Sequence, residues 1–309
     1  GSARGHMTAA GAAPRCLGWR AFGALAAALA RLPQGAMLAF GAAAATLLGP
    51  LLRARWRVAR VNLALCFPGD DATRREARLR QHRRALFVAA LELMRAWFGP
   101  SRALAGLVDI EGIEHLRAAQ ARGQGVLLLT GHLMHTELAV RFLAEALGAP
   151  VGGVVRRYRR HPCLERLLDG ARRARLGPTV DKFDARGMVR LLRDGGRLAY
   201  SADQDFRHGH VFAPFFGVPA ATYAGAPQLV RAGRACVRFL AMARGAEGRY
   251  RLTVSDPGLD ALLDDEEAFA ARYMQVLEGA VRAAPAQYLW VHRRFKTRPP
   301  GEATPYGRA

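Results

Sequence analysis

The hydrophobic pattern begins with an uncharged amino-terminal region. Residues 21–30 carry no charged side chain, and neither do residues 32–52, with a single arginine between the two stretches. The second stretch reaches the length of about 20 residues that a transmembrane helix needs. Pro33 suits a helix start, and the Gly49-Pro50 pair suits a helix end. A helix that lies in one leaflet fits about as well as a full span. A buried helical hairpin of a soluble protein is the remaining alternative.

Further along the chain, short apolar runs alternate with amphipathic segments. Residues 72–97 place apolar side chains at helical spacing, and residues 125–130 form a continuous apolar run typical of a strand buried on both faces. The other predicted strands lie at 107–112, 151–155, 197–201, 237–243 and 250–254, and the other predicted helices lie at 115–122, 134–147, 164–175, 185–194 and 266–283. This alternation predicts an α/β fold with a mainly parallel central sheet flanked by helices.

The same pattern suggests how the chain is divided. Residues 1–6 precede the first methionine and have the composition of a cloning remnant. We expect residues 15–57 to form a membrane-embedding helical segment, residues 58–300 to form one α/β domain, and residues 301–309 to be a tail.

Charge and cysteine content narrow the possible partners and compartment. The chain has 46 basic and 25 acidic residues, and its net charge is +21. Such an excess favours an anionic partner, which includes nucleic acid, an anionic membrane surface and an acidic protein. No pair of the four cysteines has a metal-ligand or redox spacing, so we expect free thiols in a reducing compartment.

The segment that follows the apolar run 125–130 carries the first candidate chemistry. His132 and Glu137 lie at the carboxyl end of this predicted strand, where ligands and catalytic residues gather in open α/β sheets. On one regular helix their spacing would separate them by about 140° of arc. They meet only if His132 lies on the turn and Glu137 in the first helical turn. The carboxylate then orients one imidazole nitrogen and leaves the other free as a base. On spacing alone, a helix-terminal pair without chemistry is the better interpretation.

A metal site is the other interpretation of this segment. His135 lies between the two candidate residues, but the His-Glu-x-x-His pattern of zinc proteases is absent. We therefore predict no metal and no cofactor.

Three more clusters follow later in the chain. Arg157 lies in an arginine-rich run after the strand 151–155, where it is a candidate for binding phosphate through its planar fork. Asp203 and Asp205 follow the strand 197–201, and an apolar, aromatic loop comes next at residues 211–219. Residues 287–298 mix aromatic and basic side chains, as expected of a nucleic-acid or lipid-headgroup contact.

Taken in order, these blocks resemble the late lipid A acyltransferases, the lauroyl and myristoyl transferases of Gram-negative bacteria. Residues 60–68 are similar to the family's arginine-x-asparagine-leucine-phenylalanine-proline segment, and residues 131–137 match its His-x4-Asp/Glu signature. Arg157 falls on the arginine that precedes an Asn-Pro pair, which is His161-Pro162 here. The Asp-x-Asp pair, the loop 211–219 and residues 287–299 match further blocks. The resemblance covers roughly residues 15–300.

The resemblance implies a glycerolipid acyltransferase-like fold and an acyltransferase of lipopolysaccharide biosynthesis. The donor would be acyl carrier protein, and the acceptor a hydroxyl of a hydroxyacyl chain on a phosphorylated glucosamine lipid A precursor. His132 would act as general base, oriented by Glu137. Substrate-binding residues would be Arg157, Asp203, Asp205, Phe215 and Phe216.

The resemblance also implies a location. The enzyme would bind the anionic inner membrane, with its catalytic domain on the cytoplasmic face, and would not bind nucleic acid. One alternative is an acyltransferase for another lipid, such as a lysophospholipid or an ornithine lipid. The other is a non-catalytic basic protein that binds membranes or nucleic acid.

Overall fold

The amino-terminal part of the molecule is entirely helical. The computed structural model describes residues 16–307, so the proposed remnant at 1–6 and the last two residues of the proposed tail lie outside the described part. Four helices come first: α1 at Leu17–Leu29, α2 at Gln34–Leu48, α3 at Arg53–Cys66 and α4 at Ala72–Phe98. A 3₁₀ turn at Gly49–Leu52 joins α2 to α3. The expected boundary between residues 57 and 58 falls inside α3.

A seven-stranded sheet forms the centre of the rest of the chain. Its strands are β1 at Val108–Glu111, β2 at Val126–Thr130, β3 at Gly152–Val155, β4 at Thr179–Asp181, β5 at Arg197–Ser201, β8 at Cys236–Arg244 and β9 at Tyr250–Ser255. A separate two-stranded hairpin contains β6 at His210–Phe215 and β7 at Val218–Tyr223. The order across the large sheet is β1-β9-β8-β2-β5-β3-β4, and every neighbouring pair is parallel except β8 with β9.

The remaining helices connect these strands. They are α5 at Ile113–Ala121, α6 at Thr136–Leu147, α7 at Pro162–Arg175, α8 at Ala185–Arg193, α9 at Ala226–Gly233 and α10 at Glu266–Ala283. The predicted α/β fold with a mainly parallel sheet and flanking helices is confirmed.

Strand β2 shows why its sequence is apolar throughout. Leu127 and Leu129 pack into the core on one side of the sheet, whereas Val126 and Leu128 pack into the core on the other side. All four side chains are at most 1% exposed. Since successive side chains of a strand point to opposite faces, a strand covered on both faces needs apolar residues at every position.

Strands β4, β6 and β7 and helix α9 were not predicted. Strand β4 and helix α9 are short, and the segment 211–219, interpreted as a loop, is most of the β6–β7 hairpin. Pro214 lies directly opposite Pro219 in this hairpin. Proline lacks the backbone N–H that a ladder requires, so it hides strand character in a sequence although an edge position tolerates it.

Helix α2 packs closely on α4 but leaves much of its apolar surface uncovered. A Cβ built on Gly41 would lie 2.9 Å from the Cα of Val88, so glycine permits this approach. Leu47 and Leu51 are 75% and 79% exposed. The continuous helical run from Gln34 to Cys66 is long and apolar enough to cross a membrane, as judged by its length and composition.

A disulfide ties the first helix to the main domain. The expectation of free thiols is wrong for Cys16 and Cys163, whose Cα atoms lie 5.5 Å apart across the bond. Spacing rules compare cysteines that are near in sequence, whereas these are separated by 147 residues and meet because α1 packs on α7. Cys66 and Cys236 are free and buried.

A buried ion cluster joins α4 to α6 and to the sheet. Glu92 of α4 is fully buried, and its carboxylate accepts a hydrogen bond of 2.5 Å from the hydroxyl of Tyr250. The other carboxylate oxygen lies 2.7 Å from Nδ1 of His135, and Arg244 forms a further ion pair with Glu92. Burial alone raises the pKa of Glu92, but the charges of His135 and Arg244 and the hydrogen bonds bring it down to about 2.

The other ring nitrogen of His135 is fixed by an amide whose orientation is known from its backbone partners. The amide oxygen of Gln287 accepts from the backbone N–H of Arg244, and its nitrogen donates to the carbonyl of the same residue, both at 2.8 Å. The amide oxygen therefore faces Nε2 of His135, at 2.6 Å, and this nitrogen must donate. Nδ1 of the same ring lies against the carboxylate of Glu92, so the surroundings fix the position of both ring nitrogens.

This cluster generates a stability prediction. Glu92→Gln leaves the buried charge of Arg244 uncompensated, and we expect a loss of about 3–5 kcal/mol in the free energy of unfolding. Thermal unfolding of the detergent-purified protein, followed by circular dichroism, measures the loss. Glu247→Gln is the control, because Glu247 is exposed.

The same carboxylate sets a pH dependence. The native pKa of Glu92 is about 2 and the ordinary value is 4.5, so its stabilisation is complete above 4.5 and is lost as the pH falls towards 2. The difference in stability between wild type and Glu92→Gln should shrink over that window. Equal melting temperatures of the two proteins at neutral pH would contradict the prediction.

Candidate active site

The site forms where two neighbouring parallel strands end. In the pairing of β2 with β5, Thr130 lies opposite Ser201. His132 and Asp203 each follow two residues later, so the register of the two strands brings them together. This edge of a parallel sheet is where open α/β folds bind ligands.

His132 is held by Asp203 through three contacts. The ring Nδ1 lies 2.6 Å from Oδ1 of Asp203, and the backbone N–H of His132 donates to both carboxylate oxygens, at 3.1 and 3.0 Å. The Asp203 side chain is completely buried, whereas the His132 side chain is 30% exposed. No described residue makes a hydrogen bond with Nε2 of His132. One nitrogen of the ring is therefore anchored, and the other is free.

Asp203 is kept ionised by its surroundings. Burial raises the pKa of Asp203. The charge of His132 has a larger opposite effect together with the hydrogen bonds that His132 and Tyr288 donate, so the pKa lies well below the usual range. The hydroxyl of Tyr288 donates to Oδ2 of Asp203 at 2.8 Å. A buried carboxylate that accepts from an imidazole Nδ1 fixes the tautomer of the ring and orients it.

The carboxyl-terminal block fixes the loop that carries His132. The backbone N–H of Met134 donates to the carbonyl of Gln287 at 2.9 Å, and that of Leu289 donates to the carbonyl of His132 at 3.1 Å. These two hydrogen bonds pair residues 132–134 with residues 287–289 in a short antiparallel bridge. The similarity of residues 287–299 to the family block thus has a structural counterpart at the site.

Gly131 is required by packing and not by its backbone angles. We expected a tight turn here, but the φ angle of Gly131 lies outside the left-handed region. A Cβ at this position would lie 2.3 Å from Cδ1 of Leu277 on α10. Glycine therefore lets α10 approach the loop before His132.

Glu137 lies in the first turn of α6, as expected, but its hydrogen-bond partners differ from the one expected. Both carboxylate oxygens accept from Arg172 of α7, at 2.9 and 2.7 Å, and one also accepts from Nε1 of Trp97. The guanidinium of Arg172 also stacks on the Trp97 ring, 4.6 Å from its centre. The carboxylate that is bonded to the His132 ring is that of Asp203, so the expected His132–Glu137 hydrogen bond is replaced by another pair.

His132 and Glu137 nevertheless line one cavity. It has a volume of about 430 Å³ and lies between the sheet edge, α6 and α7. Its apolar wall includes Val140, Tyr200 and Phe206. Its cationic lining residues are Arg156, Arg172 and Lys182.

Arg157 is bonded within the chain. Its guanidinium donates to Glu165 at 2.8 Å, to Asp169 at 2.5 Å and to the hydroxyl of Thr179 at 2.9 Å. Burial lowers its pKa, but these carboxylates raise it above the ordinary value. Arg156, the preceding residue, lines the cavity instead. Substrate binding by Arg157 stays a prediction, although its hydrogen bonds are used in joining β3 to α7 and β4.

Asp205, Phe215 and Phe216 lie outside this cavity. The carboxylate of Asp205 accepts from the backbone and the hydroxyl of Thr297, at 2.8 and 3.0 Å. Phe215 is fully buried, and Phe216 is 8% exposed beneath the guanidinium of Arg282, which is 4.4 Å from the ring centre. Their roles in substrate binding also stay predictions.

Several residues of the site could not be recognised from the sequence. Arg172 belongs to no recognisable sequence motif, and Trp97 was assigned only to the apolar face of its helix. Tyr288 lies in the carboxyl-terminal block, which was noted for its aromatic and basic residues. Among residues 16–307, no group of three histidine, cysteine or acidic side chains has the arrangement of a metal site.

Comparison with known proteins agrees with the resemblance. A family model for bacterial lipid A biosynthesis acyltransferases matches residues 12–297. The lipid A biosynthesis palmitoleoyltransferase of Escherichia coli (strain K12) is 34% identical over 279 residues, which are 89% of this chain and 90% of that protein. The lauroyltransferase of the same strain is 32% identical over 280 residues, which are 89% of this chain and 90% of that protein. The myristoyltransferase of the same strain is 27% identical over 268 residues, which are 84% of this chain and 81% of that protein.

The family match extends over nearly all of the chain, and it includes the loop of His132, the segment of Asp203 and the carboxyl-terminal block that joins them. The chain therefore belongs to the family of bacterial lipid A biosynthesis acyltransferases.

Proposed function

We propose that this protein transfers a fatty acyl group from acyl carrier protein to a hydroxyl of a hydroxyacyl chain on a phosphorylated glucosamine lipid A precursor. The α/β domain would be of the glycerolipid acyltransferase type and would act at the cytoplasmic face of the bacterial inner membrane. One observation carries the proposal. His132 has one ring nitrogen anchored by a buried carboxylate and the other unbonded, in the wall of a cavity with apolar and cationic lining.

The chemistry that this arrangement supports is general base catalysis. A hydroxyl is a weak nucleophile, and His132 takes its proton through Nε2 as the oxygen attacks the thioester carbonyl. The carbon–sulfur bond then breaks, and the imidazolium returns the proton to the departing thiolate of the carrier. The products are an ester and a free thiol, and no acyl-enzyme, metal or cofactor takes part.

Two carboxylates have different roles in this scheme. Asp203 holds Nδ1 and stabilises the positive charge that the His132 ring gains. Glu137 is anchored by Arg172 and Trp97 and forms part of the cavity wall. Its bidentate ion pair fixes Arg172, so that α6 and α7 keep their spacing on both sides of the cavity. Asp203 thus takes the orienting role that the signature motif suggested for Glu137.

The cationic lining fits an anionic acceptor. Of the three basic side chains in the cavity, Arg172 is neutralised by Glu137, whereas Arg156 has no carboxylate partner among the described residues. Its planar fork suits a lipid phosphate. The net charge of +21 also fits association with an acidic carrier protein and an anionic membrane.

The names of the relatives leave the transferred acyl chain open. The palmitoleoyltransferase and the lauroyltransferase are about equally similar to this chain, at 34% and 32% identity, although their names specify different acyl groups. We propose the acyl transfer itself, and assign no chain length.

The first prediction concerns His132 and Asp203. His132→Ala should lower kcat by about 10²–10⁴-fold, because a general base contributes this much. Asp203→Asn should give a large loss of the same kind, and the double variant should be little worse than His132→Ala, since the two residues act as one unit. Initial rates with an acylated carrier protein and a lipid A precursor measure these effects.

Two control variants separate orientation from folding. Tyr288→Phe removes one hydrogen bond to Asp203 and keeps the ring, so it should cost about 1 kcal/mol, or roughly fivefold in rate. Glu137→Gln tests the motif-based alternative. Each variant is combined with His132→Ala. Our assignment is wrong, and Glu137 is the orienting residue, if Glu137→Gln causes no further loss of rate in that background while Asp203→Asn multiplies the loss.

The second prediction compares two adjacent arginines. Arg156→Gln should raise the apparent KM for the lipid acceptor without changing the melting temperature, because Arg156 lines the cavity. Arg157→Gln should lower the free energy of unfolding by about 1–3 kcal/mol, because it removes an ion-pair partner from the part-buried Glu165 and Asp169. Steady-state kinetics and thermal unfolding are measured on both variants. The opposite pattern, with a higher acceptor KM only for Arg157→Gln, would restore the family-based role of Arg157.

A further inference from the structure

A second cavity lies apart from the catalytic one, at the junction of the amino-terminal helices. Its volume is about 990 Å³, and it is surrounded by the carboxyl-terminal part of α2, the amino-terminal part of α3 and the middle of α4. We call it the arginine pocket after six of its lining residues, which are Arg53, Arg57, Arg60, Arg80, Arg83 and Arg84. It has no lining residue in common with the cavity of His132.

The charges of the arginine pocket are poorly balanced. None of the described residues that line it is acidic. One ion pair, of 2.7 Å, joins Arg60 to Glu76 on the surface. Arg83 stacks on the ring of Trp56, 5.4 Å from its centre, and its buried Nε has no hydrogen-bond partner in the described part of the chain.

Arg83 shows the cost of this arrangement. Burial lowers the pKa of its guanidinium, and the positive charge of the neighbouring Arg60 lowers it further. A buried donor without a partner is costly, and an anion in the pocket would satisfy it. Several guanidinium groups around one cavity provide the bidentate geometry that phosphate oxygens accept.

The mouth of the arginine pocket adjoins an exposed apolar surface. Leu47, Leu48 and Leu51 are the sequence neighbours of the lining residues Thr46, Gly49 and Pro50. These leucines are 75%, 49% and 79% exposed. They are part of the helical run that is apolar and long enough for a membrane. Apolar side chains next to an arginine cluster match the boundary between acyl chains and headgroups.

We propose that the arginine pocket binds the phosphate group of an anionic membrane phospholipid, with the exposed leucines of α2 and of the following 3₁₀ turn in the acyl layer beside it. A bound lipid would compensate the unpaired arginines and hold the helices at the membrane surface. This site does not depend on the proposed acyl transfer, because it uses none of the residues assigned to that reaction.

The test measures lipid retention by the full-length protein. Native mass spectrometry of the detergent-purified chain is recorded with added phosphatidylglycerol, with phosphatidylcholine, and with inorganic phosphate. We expect one retained phosphatidylglycerol per chain, and little retention of phosphatidylcholine. A basic residue near an anionic surface contributes roughly fivefold in affinity, so Arg57→Gln with Arg83→Gln should weaken retention on the order of 25-fold. Retention of inorganic phosphate but not of the lipid would overturn the proposal.

Matched variants separate the pocket from a general basic field and from misfolding. Arg186→Gln with Arg190→Gln removes the same charge from the exposed face of α8, and should leave retention unchanged. Arg57→Lys with Arg83→Lys keeps the charge but loses the fork, and should not restore binding. Because Arg83 packs on Trp56, the pair Arg57→Gln with Arg84→Gln, both exposed, repeats the test without that contact. The proposal is wrong if the α8 variant loses as much phosphatidylglycerol retention as the pocket variants, or if the lysine variant retains the lipid fully. Either result would indicate a non-specific basic surface.

The two proposals fail independently. His132→Ala should retain the phospholipid as well as the wild type, although it is inactive. If phosphatidylglycerol is not retained by an enzyme that turns over normally, the arginine pocket proposal is wrong while the acyl transfer stands.

Discussion

The parallel pairing of β2 with β5 is the constraint on which the site depends. Each strand contributes one functional residue from the loop after its carboxyl end, and the register sets Thr130 beside Ser201. His132 and Asp203 then come within 2.6 Å without any special length or turn in either loop. Because β2 is buried on both faces, it cannot slip by one residue without exposing leucines to solvent or placing them in the wrong core. The stability of the strand therefore also fixes the catalytic geometry.

Around this pair the protein surrounds buried charge with opposite charge. Asp203 lies against His132, Glu92 lies against His135 and Arg244, and Glu137 lies against Arg172. Ion pairs of this kind contribute little net stability compared with apolar packing, but they require one arrangement of the elements that carry them. The cluster of Glu92 orders the backbone just after His132, so α6 begins in a defined position. The general base that we propose needs such positional accuracy more than the fold needs the extra energy.

The sequence contained the elements of the fold but not their adjacency. Apolar runs and helical periodicity predicted most strands and helices of the α/β domain, since burial determines them locally. Asp203 and His132 were both recognised as strand-end residues, yet nothing in the chain order indicates that β5 is the neighbour of β2. Glu137 was therefore chosen as the partner because it is near in sequence. Arg156 and Arg157 illustrate the same limit, since a shift of one residue decides whether an arginine lines the cavity or binds Glu165 and Asp169. The disulfide of Cys16 with Cys163 was missed for the related reason that α1 meets α7 only in three dimensions.

The bridge between residues 132–134 and 287–289 also bears on how the enzyme is made. A chain emerging from the ribosome can form β2 and the loop of His132 early, and domains begin to fold from their amino-terminal parts during synthesis. The backbone partner of Met134, the amide that fixes His135 and the hydroxyl that supports Asp203 belong to Gln287 and Tyr288, which are synthesised about 150 residues later. Until they arrive, the imidazole lacks the frame that holds it. Assembly of the candidate site is thus coupled to completion of the chain, and a nascent or truncated chain lacks the partners that hold His132.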